Sequence, residues 1–286
     1  MAYFGPSGNE ERFYELGYKS SLQMPEYVRS LDLDAYEYQC SRGVKITQKT
    51  ANALGDEAKK YNVRLSIHSP YYINLATDDE EKRVKSIKYI TDSMQAAQFM
   101  GADRVVVHSG ACAKMPRDTA MMYAEKTLRM ALAEAKNLGV DSVHICPETM
   151  GKLNQLGDLD EVLTLCRIDD SFLPTIDFGH LNARGLGCLN TYEDFDEIFT
   201  KIEDKLGHDR LNSFHAHFSR IEFTAGGEKK HHRLCDTQYG PEFDYIAEIM
   251  AKRNIHPTII CESNGTMAQD AVLLKKMYMQ KVSELN

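Results

Sequence analysis

Short apolar runs rich in β-branched residues alternate along the chain with longer, helix-like stretches. AYEYQ at 35–39 precedes a helix-like stretch over 47–61, and RLSIHS at 64–69 precedes a loop and a helix over roughly 79–100. RVVVHSG leads to a helix over about 118–138, SVHICPE to a loop and then LDEVLTLC, and LPTIDFGH to a helix over about 192–206. LNSFHAHFS precedes a long loop and a helix over about 242–253, and HPTIICES a last helix over roughly 267–282. With YFGPSG as the first strand, the chain reads as eight strand–helix units. Such alternation predicts parallel strands with helices packed outside them. Eight units predict closure into a (β/α)8 TIM barrel of the α/β class rather than an open sheet. Gly101, Gly139 and Gly207 each follow a helical pattern and are the predicted left-handed caps. No linker, low-complexity segment or short repeat interrupts the pattern, so one barrel domain is predicted over residues 1–286.

Five of the apolar runs end in a residue of metal-ligand type. They are LSIHSPYY with His68, VVVHSG with His108, VHICPET with Glu148, PTIDFGH with Asp177 and His180, and TIICESNG with Glu262. FHAHFS carries His215 and His217 in its middle. His68 to His108, His108 to Glu148 and Asp177 to His217 each span 40 residues (108 − 68, 148 − 108, 217 − 177). That is one strand–helix unit with a generous loop, so the candidates are predicted at equivalent heights, converging on the barrel mouth where active sites form. Strand alternation places Glu148, Cys146 and His144 on one face, and His217 nearer the mouth than His215, which falls in the packed interior. A central carboxylate can bridge two cations about 3.5–4 Å apart, which clamp the oxygens of a phosphoryl displacement and lower the pKa of bound water. Glu148 and Glu262 are the candidates for that role. Tyr71 and Tyr72, beside His68, read either as loop packing or as aromatics that stack on or wedge between bases. His208 and His256 read as loop positions without a role.

Composition narrows the chemistry. Seven cysteines lie scattered at 40, 112, 146, 166, 188, 235 and 261 with no CxxC spacing, which argues against a disulfide framework or a thiolate zinc site and for reduced thiols in the cytoplasm. A metal is then held by nitrogen and oxygen, a donor set that suits zinc, manganese or iron. The net charge of −8 counts against a generic polyanion binder, although GGEKKHHR at 226–233 is locally positive. No apolar run approaches the roughly 18 residues of a membrane helix, and MAYFGPSGNEERF does not read as a secretory signal. Nothing along the chain points to an obligate protein partner.

Taken together, HSPYYINLA at 68–76, VVHSG at 106–110, PETMGKLNQLG at 147–157, DFGHLNARG at 177–185, HFS at 217–219, GEKKHH at 227–232 and CES at 261–263 resemble the ordered signature blocks of the endonuclease IV family (AP endonuclease family 2). These are metal-dependent apurinic/apyrimidinic endonucleases on a xylose-isomerase-like TIM barrel. The resemblance implies up to three zinc ions: one on His68, His108 and Glu148, a second on Glu148, Asp177, His217 and Glu262, and a third on His180 and His231. It implies cleavage of DNA 5′ to abasic sites by a metal-activated hydroxide, with Tyr71 matching the family's tyrosine after the first ligand. Two departures mark a divergent branch. The family's Asp two residues before the histidine matched by His231 is Lys229 here, with Glu228 one step earlier, so the third site is expected to be weak, to use Glu228 or His232, or to be absent. PETMGK also replaces the usual block around the bridging Glu. The competing expectations are a sugar isomerase or epimerase of the same superfold, which needs fewer metals, and a non-catalytic barrel that binds damaged DNA.

Overall fold

A computed structural model describes residues 1–112 and 114–285 of this chain. Its strands are β1 (Tyr3–Pro6), β2 (Ala35–Gln39), β3 (Arg64–His68), β4 (Arg104–His108), β5 (His144–Glu148), β6 (Thr175–Asp177), β7 (His215–Phe218), β8 (Arg220–Thr224), β9 (Gly227–His232) and β10 (Thr258–Cys261). Eight of them form one parallel sheet in the order β1-β10-β7-β6-β5-β4-β3-β2. The sheet closes where Ser7 bridges Glu37, Gly8 N donates to Glu37 O at 2.9 Å and Asp34 N donates to Phe4 O at 3.0 Å. The TIM barrel predicted from the alternating pattern is therefore present.

Strand registers give its stagger. Followed once round from Glu262 through Ser7, Glu37, Ser66, Arg104 and His144, they return at Asn254, eight residues lower (262 − 254). That is the shear of a (β/α)8 barrel. It fixes which side chains share a layer of the interior.

The helices are α1 (Glu11–Glu15), α2 (Met24–Ser30), α3 (Gln48–Tyr61), α4 (Glu80–Met100), α5 (Arg117–Leu138), α6 (Leu159–Cys166), α7 (Phe178–Arg184), α8 (Tyr192–Leu206), α9 (His208–Ser213), α10 (Phe243–Arg253) and α11 (Met267–Leu285). Side chains cap several of them as the sequence demands: Thr47 accepts from Thr50 N, Asp79 from Lys82 N, and Asp158 and Thr191 form capping boxes. Gly101 and Gly139 take left-handed caps. Gly207 does not: at φ 85°, ψ 165° it joins α8 directly to α9, so His208 begins a short helix instead of lying in a loop. The stretch after β7, read from sequence as a long loop, holds the antiparallel hairpin β8–β9. No helix among the described residues is long and apolar enough to cross a membrane.

Alternation along the strands separates two interiors. Ile67, Val105, Val107, Ile145, Ile176, Ala216, Phe218 and Ile259 face outward and join the apolar core beneath the helices. The positions between them face the barrel axis, and many are polar: Glu37, Ser66, Arg104, Thr175, His215 and Thr258 are all buried.

Gly5 is where the barrel seam closes most tightly, since a Cβ there would stand 1.7 Å from Ala35 O. A Gly5→Ala variant is expected to lose at least about 2 kcal/mol of stability by overpacking. Urea unfolding followed by circular dichroism checks this, and an unchanged midpoint would contradict the seam geometry.

Candidate metal centre at the barrel mouth

Equal spacing in sequence does not by itself give equal height. His108 pairs directly with Glu148, and Asp177 with His217, but His68 pairs with Val106, two residues below His108. Glu148 likewise pairs with Thr175, two below Asp177. The strands tilt, and a climb of two residues for every two strands restores the level. The mouth is thus two interleaved layers of four. Ser7, His68, Glu148 and His217 make one, and Gln39, His108, Asp177 and Glu262 make the other. Six of these eight were candidates from sequence. Ser7 and Gln39 were not, because only the register places them. They bind each other and the site: Gln39 Nε2 donates to Ser7 Oγ at 2.6 Å, and Ser7 Oγ donates to Glu262 Oε1 at 3.0 Å.

Glu148 is the centre. It is 1% exposed, and four imidazoles surround its carboxylate. His217 Nδ1 lies 2.9 Å from Oε1, His108 Nε2 and His68 Nε2 lie 3.2 and 3.5 Å from Oε2, and His180 Nδ1 lies 3.8 Å from Oε1. Two donor sets meet at Glu148: His68 with His108, and Asp177 with His217 and Glu262.

A third set stands apart, made of His180, Glu228 and His231. Glu228 lies 3.5 Å from His180 Nε2 and 3.8 Å from His231 Nε2. In a regular strand 228 and 231 would face opposite sides. Here Glu222 pairs with Lys230 and Phe223 with Glu228, so Lys229 is an extra, bulged residue that brings Glu228 and His231 to one side. Lys229 turns outward to Glu222 at 2.6 Å, and His232 faces Glu222 and Asp236. Of Glu228 and His232, the geometry brings Glu228 to the cluster.

The hairpin is seated by two glycines. Glu228 N donates to Gly151 O at 3.0 Å, and a Cβ on Gly227 would stand 2.2 Å from that same oxygen. A Cβ on Gly151 would stand 2.6 Å from Glu228 Cβ. Arg184 of α7 pins the Gly151 loop from behind, donating to Met150 O and Lys152 O at 3.2 and 2.8 Å.

Do these residues fit a cation? Glu148 Oε2 and Asp177 Oδ2 are buried oxygens with no hydrogen-bond donor, although both have imidazole nitrogens at ion-pair distance. Native structures rarely leave such atoms unpartnered without an ion or water. The ring orientations agree. His68 Nδ1 is 2.9 Å from Ser69 O and His180 Nδ1 is 2.8 Å from Thr149 O. A carbonyl only accepts, so both rings carry the hydrogen on Nδ1 and can present a bare Nε2 inward, as a metal ligand must. His231 Nδ1 also has a polar partner, Ser219 Oγ at 2.8 Å, a hydroxyl that can donate or accept. Asp177 uses Oδ1 to cap α7, accepting from His180 N at 2.8 Å, which leaves Oδ2 for the cluster. The donor set fits a cation.

Charge is balanced internally by protons. Burial opposes ionisation of Glu148, yet His217, His108 and His68 hold its carboxyl well below the usual range. Burial opposes protonation of His68, but Glu148 raises its pKa to about 9; Asp177 and Glu228 do the same for His180. Against the same burial, Glu262 and Glu37 raise His217 well above its ordinary value. Burial leaves Asp177 above its ordinary value despite His180.

A cavity of about 260 Å³ opens over the cluster, lined in part by Tyr71, Lys152 and Gln155, and a groove of about 560 Å³ continues from it toward Lys230 and Asn264. Tyr71 is 48% exposed at the cavity edge. Tyr72 instead stands between Tyr71 and Tyr89 of α4, with ring centroids 4.7 and 6.3 Å away. It is 53% exposed. Sequence reading also passed over Glu37, a carboxylate in the middle of the apolar strand AYEYQ that lies 3.1 Å from His217 Nε2. Its inward parity was the available signal.

Residues 25–277 match the AP endonuclease 2 family, described as a xylose isomerase-like TIM barrel. An uncharacterized protein of Methanocaldococcus jannaschii is 31% identical over 278 residues, 97% of each chain. A probable endonuclease 4 of Mycoplasma pneumoniae is 29% identical over 195 residues, 66% of this chain and 64% of that protein. Among solved structures, a D-tagatose 3-epimerase-like protein superposes with a TM-score of 0.73 at 20% identity over 99% of both chains, a likeness of fold.

Two outcomes follow from the site. Zinc must displace protons from histidines whose pKa values are raised to about 9, so affinity should climb as pH rises toward that value. Competition against a chromogenic chelator between pH 6.5 and 8 is expected to show up to about a tenfold gain per pH unit for each proton displaced; a flat profile would contradict the charge balance. Gly151→Ala should push Glu228 away from His180 and His231 and remove about one bound metal per chain, leaving the Glu148 sets intact. Metal analysis after dialysis reads this directly, and full retention would show that the glycine is not needed.

Proposed function

The chain belongs to the xylose isomerase-like TIM barrel family, and we propose that within it this protein is a metal-dependent phosphodiester hydrolase resembling endonuclease IV, cleaving DNA 5′ to abasic sites. The observation that carries the proposal is the third donor set, His180, Glu228 and His231, built on its own bulged hairpin beside the two sets that share Glu148. In this reading His68, His108 and Glu148 hold one ion, Glu148, Asp177, His217 and Glu262 a second, and His180, Glu228 and His231 a third. Zinc is the proposed metal, because the donors are nitrogen and oxygen and the family resemblance implies it. Bound metals would supply Lewis-acid charge to a phosphoryl group and lower the pKa of water nearby.

The protein's own residues do the rest. Glu148 is shared between the first two sets and sets their separation. Glu262, held by Ser7, faces His217 at 3.6 Å and can take a proton at the mouth. Tyr71 offers a half-exposed ring at the cavity edge on which a base or an open sugar can stack. Lys152 lines the cavity, and Lys229 and Lys230 line the adjoining groove, positive charge for flanking phosphates on a chain of net charge −8.

One observation favours a second reading. Glu148, Asp177, His217 and Glu262 form a complete four-residue set without the other histidines. A sugar isomerase or epimerase would use that set with one metal, and Glu148 and Glu262 as its acid–base pair. It leaves His68, His108 and the hairpin cluster without a purpose.

Incubating zinc-loaded protein with a duplex that carries one abasic site tests the proposal. Cleavage on the 5′ side is expected, reduced by at least about 10²-fold in a His108→Ala/Glu148→Gln double variant. No cleavage above that variant, together with about one metal per chain and turnover of a ketose, would replace the proposal with the epimerase reading.

A further inference from the structure

Glu37 lies one layer below the mouth on β2, with no exposed surface, at a position that barrels of this kind usually fill with a branched apolar residue. Its carboxylate collects polar partners from several strands. His215 Nε2 is 2.9 Å from Oε2, Ser66 Oγ donates to Oε2 at 2.9 Å, Gln39 Nε2 donates to Oε1 at 3.2 Å, and His217 Nε2 is 3.1 Å from Oε1. The last contact is an ion pair by distance and not a hydrogen bond, since His217 Nε2 has no hydrogen-bond partner among the described residues. Distance and opposite charge still make Glu37 the group that this nitrogen faces.

His217 differs from the other histidines of the site. His68, His180 and His231 are each anchored through Nδ1 and turn Nε2 toward the donor sets. His217 is reversed: Nδ1 faces Glu148 and Glu262 at 2.9 and 3.6 Å, and Nε2 points down the barrel. A neutral ring presents Nδ1 bare only if its hydrogen is on Nε2, and a carboxylate facing Nε2 favours that tautomer. Glu37 is the carboxylate that Nε2 faces, at 3.1 Å. Burying a carboxylate so deeply is costly unless each oxygen is matched, and here Ser66, Gln39 and His215 match what His217 does not use.

We infer that Glu37 is a positioning residue for the second metal set: it holds His217 with Nε2–H turned inward, so that Nδ1 is presented to a cation shared with Glu148, Asp177 and Glu262. The inference rests on the proposed reading of His217 as a ligand. It adds a fixed tautomer and a named residue that imposes it.

Two measurements on the full-length protein test it, with zinc or cobalt alone as the probe. The first is long-range nitrogen–proton correlation NMR on the zinc-loaded wild type labelled with nitrogen-15 histidine. His217 is expected to carry its proton on Nε2 and the metal on Nδ1; metal on Nε2 would overturn the inference without any variant having to fold. The second is Glu37→Gln, which keeps shape and one acceptor but cannot serve two imidazoles. Removing such an orienting partner typically weakens metal binding about 10–100-fold. That loss is expected for one equivalent, with a changed cobalt absorption spectrum and the remaining equivalents unaffected. Unchanged affinity and spectrum in a folded Glu37→Gln protein would overturn the inference while leaving His217 a ligand. Failure of the wild type to take up any metal would overturn the ligand reading itself, and this inference with it.

Discussion

A carboxylate that is 1% exposed stays ionised only if opposite charge surrounds it, and in this protein that requirement falls on Glu148. Imidazoles from β3, β4 and β7, and one from the start of α7, converge on it. They can do so because the barrel's stagger lifts every second strand by two residues. Layers of four side chains then lie level across the mouth, and their charges lie within a few ångströms of one another. The same closeness raises the histidine pKa values and lowers that of Glu148. The charge of the site is balanced by protons on these histidines, which a bound cation would have to displace.

Around this centre the barrel is neutral as to chemistry, since one superfold serves many reactions. The hydrolase reading proposed for it rests on the β8–β9 hairpin, whose bulge at Lys229 turns Glu228 to the side of His231. Gly151 and Gly227 let it approach the loop after β5 closely enough to meet His180 of α7. Lys229 stands where the resemblance implied a carboxylate, and the bulge at that residue brings Glu228 to the cluster.

Much of this was legible from the amino-acid order. Polar endings on successive apolar runs marked the mouth, and His68, His108, Glu148, Asp177, His217 and Glu262 all reach it. His215 falls in the interior, as strand parity required. What was not legible depended on pairing between distant strands. Ser7 and Gln39 join the mouth only through the register, and Glu37 matters only because β7 places His217 above it. The bulge at Lys229 was hidden because GEKKHH carries no signal of which residue would be left unpaired. Gly207 looked like a left-handed cap because sequence shows that a helix ends, not that another begins one residue later.

The central claim is that three donor sets around Glu148 and the hairpin are metal sites of one centre. Anomalous diffraction at the zinc edge from crystals of the zinc-loaded protein tests it most directly. The account predicts three peaks: one among His68, His108 and Glu148, one among Glu148, Asp177, His217 and Glu262, and one among His180, Glu228 and His231. A single peak confined to the second set would contradict it, leaving a one-metal barrel whose hairpin cluster serves some other end.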